Sequence, residues 1–218
     1  MKFAKHLVGL SALACVAAAH ADPVPFSDGF DTLAAWTLVN NSAPVGLSWF
    51  QGNPGIFASQ AGAANAYAAA DFNSNANAGL GLPGPIDNWL ISPVLTLGST
   101  GAMLSFYTRA DIADGFHDTM QVMFSAGSGV ATAGFAPLLT IGADPAVDYP
   151  SLWTYIALAL PNAATGRIAF RYTGDASTSN YIGVDTVAVG AIPEPSTYAL
   201  MALGIAGLAL VRRNRKAT

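Results

Sequence analysis

Clusters of turn-forming residues recur about every ten residues through residues 22–190, and they limit the segments between them to strand length. Short aliphatic and aromatic runs fill these segments. In one of them, Ile168, Phe170 and Tyr172 alternate with smaller or charged residues, which is the two-residue period of a strand with one buried face. No segment of 22–190 carries a long helical stripe. The pattern predicts an all-β sandwich of about nine short strands.

The candidate strands are the apolar or alternating runs that lie between turn clusters. Residues 61–70 are rich in alanine and have helical propensity, but we place them in a strand because Tyr67 and Phe72 lie between turns. We expect strands at 33–39, 45–50, 66–72, 89–97, 102–109, 120–124, 152–158, 166–172 and 181–189.

The first 21 residues are typical of a cleaved secretory signal peptide. A positively charged start and an apolar run at 7–18 precede Ala19 and Ala21, which have the small-x-small form of a cleavage site. We therefore expect Asp22 to be the first residue of the mature protein.

Cys15 offers a competing interpretation, a lipoprotein signal with this cysteine as the lipidated residue. The leucine that should precede such a cysteine stands one position late, at Leu13, so a cleaved signal is the better interpretation. Cleavage after Ala21 removes the only cysteine of the chain, and the mature protein then has no disulfide and no thiol chemistry.

The other end of the chain has three parts in a fixed order. Pro193, Glu194 and Pro195 come first, an apolar run of fourteen residues follows at 198–211, and a basic cluster occupies 212–216. A helix of this length covers about 21 Å, less than the roughly 30 Å hydrocarbon core of a bilayer. The basic cluster favours the cytoplasmic side of a membrane, which would leave the rest of the chain outside.

This three-part tail resembles the PEP-CTERM sorting domain of Gram-negative bacteria over residues 192–216. The resemblance implies a substrate of exosortase, a membrane protease and transpeptidase, in bacteria that make exopolysaccharide and biofilm. It implies transient anchoring in the inner membrane, then a place at the cell surface or in the extracellular matrix. An ordinary C-terminal anchor is the alternative. We divide the chain into a signal peptide (1–21), a body (22–190) and a sorting signal (191–218).

The body is strongly acidic. Residues 22–190 hold twelve aspartates and no glutamate against three arginines and no lysine, a net charge of −9. Such a surface repels nucleic-acid phosphates, and we expect no nucleic-acid partner. Carboxylate oxygens suit Ca²⁺, so a calcium ion is the cofactor that this composition favours.

Four motifs in order carry a second resemblance. They are Phe-Ser-Asp-Gly-Phe at 26–30, Trp-Leu-Ile-Ser-Pro at 89–93, Arg-Ile-Ala-Phe-Arg-Tyr at 167–172 and Ile-Gly-Val-Asp at 182–185. This order is similar to that of the choice-of-anchor J family, which is similar in turn to cleaved-adhesin and MAM-type domains. The resemblance spans nearly all of 26–189 and implies a jelly-roll β-sandwich in an extracellular setting. It implies no reaction.

The residue types of the body exclude several kinds of catalysis. His117 is the only histidine of residues 22–190, which also lack Cys, Lys and Glu. This excludes thiol nucleophiles, lysine Schiff bases and zinc sites with several histidines. A Ser-His-Asp triad would need His117, which lies in a polar turn, and no Gly-x-Ser-x-Gly elbow precedes a helix. A pair of aspartates acting in glycoside hydrolysis stays open as an alternative.

Three groups of acidic residues are candidate calcium ligands. Residues 71–75 have the alternate spacing of a calcium loop, but Ala76 replaces the required glycine and Leu82 the bidentate glutamate, so we interpret them as an Asn-rich loop. Asp111, Asp114 and Asp118 crowd one turn, where solvated residues and strand caps are the simpler explanation.

Asp28 and Asp185 form the better pair. In jelly rolls that resemble this chain, a structural calcium ion is held near the first and last strands, which would be neighbours here. Asp185 lies within an apolar strand, where an unpaired carboxylate is costly. It therefore needs a cation, an arginine or backbone N–H donors, and the sequence leaves these three open.

Aromatic residues suggest a sugar-binding surface. Trp89 and Trp153 lie within strand patterns and are better explained as core residues, whereas Trp49 precedes a Gly- and Pro-rich loop and is the candidate platform. We expect an exported, non-enzymatic surface or matrix protein associated with exopolysaccharide or adhesion. The alternatives are a polysaccharide-active enzyme that uses an Asp pair, and a purely structural surface protein.

Overall fold

The alternating pattern of the sequence becomes two antiparallel sheets packed face to face in the computed structural model, which describes residues 25–98, 101–111, 113–143 and 149–191. Along the strand Ala102–Asp111 buried side chains alternate with half-buried ones, as expected for a sheet with one face on a core. The strands of the described part are β1 (Phe26–Asp28), β2 (Thr37–Asn40), β3 (Phe50–Gln51), β4 (Ala68–Asp71), β5 (Pro85–Ile91), β6 (Leu95–Thr96), β7 (Ala102–Asp111), β8 (Thr119–Ala126), β9 (Ala136–Ile141), β10 (Thr154–Leu160), β11 (Thr165–Asp175) and β12 (Tyr181–Ala191). Short 3-10 turns lie at Phe72–Ser74, Ala76–Leu80 and Thr132–Gly134.

The two sheets have six strands each. The first sheet runs β10-β7-β12-β4-β3, and β1 pairs with the second half of β12. The second sheet runs β2-β5-β11-β8-β9, and β6 pairs with the start of β11. The all-β prediction and the two-layer sandwich are confirmed. The finer jelly-roll connectivity stays a prediction.

The core lies between the inner faces of the two sheets. Phe106 of β7 meets Phe170 of β11 edge to face, with ring centroids 5.0 Å apart, and neither ring is exposed. Trp36 closes one side by packing on Phe30 and Phe170. Each such large side chain contributes about 1.5–3 kcal/mol by leaving water, so this contact between sheets holds the sandwich together.

Several predicted strands are displaced. Residues 45–49 have no strand, and only an isolated bridge joins Val45 to Asn75. The predicted strand at 89–97 is two strands, β5 and β6, because Pro93 has no N–H to donate to a ladder. The sequence analysis missed β1 and β9. In β9, Pro137 sits on an edge strand, the position where proline is tolerated in a sheet.

A β-bulge in β12 sets the direction of its side chains. The register shifts between Asp185 and Ala188, and Thr186 adopts a positive φ of 49°, which is unusual for a β-branched residue. The extra residue lets Val184 and Val187 both face the core. It leaves Asp185 on the outer face of the first sheet, the face turned away from the second sheet.

Candidate functional site

The chain enters and leaves the sandwich at one end. Phe26 of β1 lies opposite Val189 of β12 in an antiparallel pair, so Pro25 and Ala191 are close neighbours. We call this the chain end. The opposite end of the sandwich, which we call the far end, contains the last residues of β4, β7 and β11 and the first residues of β8 and β12.

The sorting and processing residues lie outside the described part of the chain. These are Ala19, Ala21 and Asp22 at the expected signal cleavage, Pro193, Glu194 and Pro195 of the sorting motif, and the apolar run at 198–211. No helix within the described residues is long and apolar enough to cross a membrane.

Asp28 is held by donors from the loop that follows β1. Its Oδ1 accepts a hydrogen bond from the backbone N–H of Phe30 at 2.8 Å, and its Oδ2 accepts one from Nε1 of Trp36 at 2.8 Å. The carboxylate therefore fixes the turn that brings Phe30 and Trp36 into the core.

Asp185 is fully buried beneath the loop of residues 57–61. Its Oδ2 accepts the backbone N–H groups of Gln60 at 2.7 Å and Ala61 at 3.2 Å, and its Oδ1 accepts the N–H of Thr186. Burial raises the pKa of this carboxyl, and the N–H donors act in the opposite direction. Of the three kinds of partner that the sequence left open, the structure provides backbone donors.

Asp28 and Asp185 lie on neighbouring strands, since Asp28 faces Val187 in the register of β1 and β12. Within the described residues, no group of three or more His, Cys, Asp or Glu side chains could hold a metal ion. All four oxygens of the two carboxylates already accept N–H groups. A calcium ion on this pair stays a prediction.

An aromatic cluster covers one half of the outer face of the first sheet. Phe57 stacks on Tyr67 at 5.1 Å and meets Trp153 edge-on at 5.5 Å. The Tyr67 hydroxyl contacts the carbonyl oxygens of Asn53 and Phe57 and the hydroxyl of Tyr181. These contacts hold residues 53–61 against the sheet, and this half of the face is closed.

The other half of that face is open. Tyr107 of β7 and Tyr155 of β10 are register partners, and their rings meet at 5.3 Å with an interplanar angle of 60°. Tyr155 is 57% exposed. We call the open half the tyrosine face.

A groove of about 390 Å³ adjoins this pair toward the chain end. Met103 and Ser105 line it from the same side of β7 that carries Tyr107. Ala188 and Gly190 form its floor, and Ser27 lies opposite. The small side chains of Ser27, Ser105 and Ala188, and the absence of one at Gly190, leave room for the groove.

The described carboxylates that could serve in catalysis are engaged by separate donors. Asp118 is buried and accepts the Tyr172 hydroxyl and the N–H of Asn180, and Asp87 pairs with Arg171 at 2.6 Å. Asp118 was expected in a solvated turn, but burial raises its pKa. No hydrogen bond within the described segments joins two carboxylates.

The tryptophan interpretation was wrong at Trp49. This side chain is only 2% exposed, and its Nε1 donates to the carbonyl of Asn88 at 3.0 Å, so it forms no surface platform. The outer face instead presents the exposed Tyr155 beside the half-buried Tyr107, a pair that the sequence analysis did not single out. The two-residue period of β7 and β10 was the available signal, because it places both rings on the side opposite the core.

Comparisons with known proteins agree with this architecture. The PEP-CTERM protein-sorting motif matches residues 191–216. A search of curated proteins finds no similar sequence.

Three solved structures with this fold are cleaved adhesin domains of Lys-gingipain. The K1 domain from Porphyromonas gingivalis W83 is 28% identical with a TM-score of 0.57, over 78% of this chain and 99% of that one. The K2 domain is 20% identical with a TM-score of 0.57, over 76% and 99%. The K3 domain, also from P. gingivalis W83, is 20% identical with a TM-score of 0.56, over 78% and 98%. The chain therefore carries an exosortase-type sorting motif behind a sandwich with the fold of cleaved adhesin domains.

Proposed function

We propose that this protein is an exported, non-enzymatic surface protein that adheres to exopolysaccharide after exosortase has processed its C-terminal motif. The sorting motif at 191–216 supports export and processing. The likeness to cleaved adhesin domains fits adhesion. In this proposal the C-terminal segment anchors the chain in the inner membrane until processing.

The tyrosine face carries the binding part of the proposal. An exposed tyrosine beside an open groove offers an apolar ring on which a sugar can stack, with hydroxyl groups at its edge. Ser27 and Ser105 add hydrogen-bonding groups along the groove. The net charge of −9 on residues 22–190 disfavours an anionic polymer, so the glycan we propose is a neutral one.

The test is binding of the processed protein, purified from its host, to exopolysaccharide from the same host. Calorimetry compares the native protein with Tyr155→Ala and with Val94→Ala, a control because Val94 is 43% exposed beside the other sheet. We expect Tyr155→Ala to weaken binding roughly tenfold, as for a hot-spot aromatic residue, and Val94→Ala to leave it unchanged. Equal binding by the native protein and Tyr155→Ala would refute the tyrosine face as the site.

An assay for cleavage of the polysaccharide distinguishes the enzymatic alternative from binding alone. We expect no release of reducing sugar from the same polysaccharide. Release that a single Asp→Asn change abolishes would establish a hydrolase instead. A protein that neither binds nor cleaves the polysaccharide would be a structural surface component.

A further inference from the structure

A second cavity lies at the far end of the sandwich, away from the tyrosine face and the chain end. Its volume is about 280 Å³. Phe72, which follows β4, and Phe116, in the turn between β7 and β8, supply its aromatic walls, and Ala176 and Asn180 come from the β11–β12 connection. Phe116 is 41% exposed although its ring is wholly apolar.

Exposed apolar surface continues beyond this cavity. Gly81 lines it, and the flanking side chains Leu80 and Leu82 are 72% and 49% exposed. Contiguous apolar surface of this kind on a soluble domain marks a contact site more often than chance exposure.

Aspartates lie close in sequence to several residues that line the cavity. Asp71 and Asp175 directly precede the lining residues Phe72 and Ala176, and Asp114 lies two residues before Phe116. The backbone oxygen of Asp111 accepts the side-chain amide of Asn180, another lining residue. The segments that form this apolar cavity therefore carry negative charge, and we call their aspartates the acidic rim.

The three arginines of the described chain do not neutralise this rim. Arg171 pairs with Asp87 at 2.6 Å, and the Arg109 guanidinium lies over the Phe57 ring at 4.2 Å on the outer face of the first sheet. Arg167 donates to the carbonyl oxygens of Ser92 and Ser128 near the chain end. The charge at the far end therefore favours a cationic partner.

We infer that this far-end cavity binds a lysine or arginine side chain of a partner polypeptide. The aliphatic stem packs between Phe72 and Phe116, the cation is held by the acidic rim and by the face of Phe116, and apolar neighbours in the partner contact Leu80 and Leu82. The site is independent of the proposed glycan site in residues, position and ligand class. A protein held by its C-terminal end would present this cavity outward.

The test uses the processed full protein and two synthetic peptides, one with alternating leucine and lysine and one with glutamate in place of every lysine. Calorimetry at low salt measures both. We expect the lysine peptide to bind, its affinity to fall as salt rises, and the glutamate peptide not to bind. Free lysine is expected to bind at least tenfold more weakly than the lysine peptide.

Variants assign binding to the cavity. Phe116→Ala and Asp114→Asn should each weaken binding of the lysine peptide at least fivefold. Two matched controls, Val130→Ala at the same 41% exposure and Asp31→Asn on another exposed loop, should leave binding unchanged. Equal losses in controls and cavity variants, binding of the glutamate peptide, or free lysine binding as tightly as the peptide would each overturn the inference. Tyr155→Ala should not alter peptide binding, so this proposal and the proposed glycan site can be refuted independently of each other.

Discussion

Asp185 joins two segments that are far apart in the sequence through one buried carboxylate. Its partners Gln60 and Ala61 lie 125 and 124 residues away. Thr186, in a strained backbone conformation at φ 49°, turns the carboxylate toward them and donates its hydroxyl to Oε1 of Gln60. The strain is compensated by closing the loop of residues 57–61 over the sheet.

Asp185→Ala should therefore destabilise the protein. The change removes the hydrogen bonds that the backbone N–H groups of Gln60 and Ala61 donate to the buried carboxylate, at a cost of about 0.5–1.5 kcal/mol for each bond. Chemical denaturation measures the free energy of unfolding, with Asp31→Ala as an exposed control expected to stay within about 0.5 kcal/mol of the native protein. An unchanged unfolding midpoint in Asp185→Ala would contradict this role.

The proposed calcium ion on Asp28 and Asp185 makes a separate prediction. A ligand that binds only the folded state raises its stability by mass action, so millimolar calcium should raise the melting temperature and a chelator should lower it. Asp28→Asn should abolish the calcium response. A melting temperature that does not respond to calcium in the native protein would remove the ion from this site.

Strand β12 is the element on which the first sheet is organised. It pairs with β7 along one edge and with β4 and β1 along the other. Its two outward glycines have opposite surroundings. A Cβ at Gly183 would come within 3.0 Å of the rings of Phe57, Trp153 and Tyr67, whereas one at Gly190 would meet nothing within 4 Å.

Alanine at these two glycines should have opposite effects on stability. Gly183→Ala forces the aromatic cluster apart and should cost about 1–3 kcal/mol, the range for overpacking. Gly190→Ala should be neutral or slightly stabilising, because it lowers the entropy of the unfolded chain. Thermal unfolding of the two variants side by side checks this, and equal destabilisation would mean that strand glycine itself, not the cluster, sets the cost.

Local periodicity was enough to predict the strands with regular alternation. Ile168, Phe170 and Tyr172 are fully buried in β11 as predicted. Proline obscured β9 and divided the expected strand at 89–97, since its effect depends on whether the strand lies at an edge. The sequence also predicted that Asp185 needed a partner.

The partner itself was beyond local patterns, because the donors to Asp185 come from a loop more than a hundred residues away. The prediction that Trp49 forms a surface platform was wrong for the same reason. Its loop flank suggested exposure, and only the packing of both sheets places it in the core. Long-range contacts of this kind have no local sequence signal.

Across the whole molecule, acidic groups set the dependence of stability on pH. Burial raises the pKa of Asp71, Asp118 and Asp185 above the ordinary 3.8, so near these pKa values the folded state binds more protons than the unfolded state. By linkage, stability then falls as the pH rises from the unfolded pKa through the raised folded pKa. Asp175 has a lowered pKa from its bonds to Ser177, but it is solvent-exposed and adds little opposing dependence.

The protein should accordingly be more stable at about pH 5 than at about pH 7.5. Asp118→Asn keeps an acceptor oxygen for the Tyr172 hydroxyl and cannot titrate, so this variant should show a flatter profile. Denaturation midpoints across this range provide the measurement. Stability that rises steadily with pH would show that the buried aspartates do not govern it.

The proposed processing predicts the mass and the location of the mature protein. Intact mass of the protein from its host should correspond to a start at Asp22 and an end between Pro193 and Ser196, in the outer or secreted fraction. A mass that includes residues 198–216, found in the inner membrane, would replace the sorting proposal with a plain C-terminal anchor.

The pairing of β1 with β12 also affects when the first sheet can form during export. A chain exported from its N-terminus delivers β1, β4 and β7 first, and each must wait with an unpaired edge for the strand that lies between them. That strand ends two residues before Pro193, so the sheet can close only when the chain has been exported almost as far as the sorting motif. Because contacts between such distant strands also form slowly, the fold is completed no earlier than the arrival of the sorting motif.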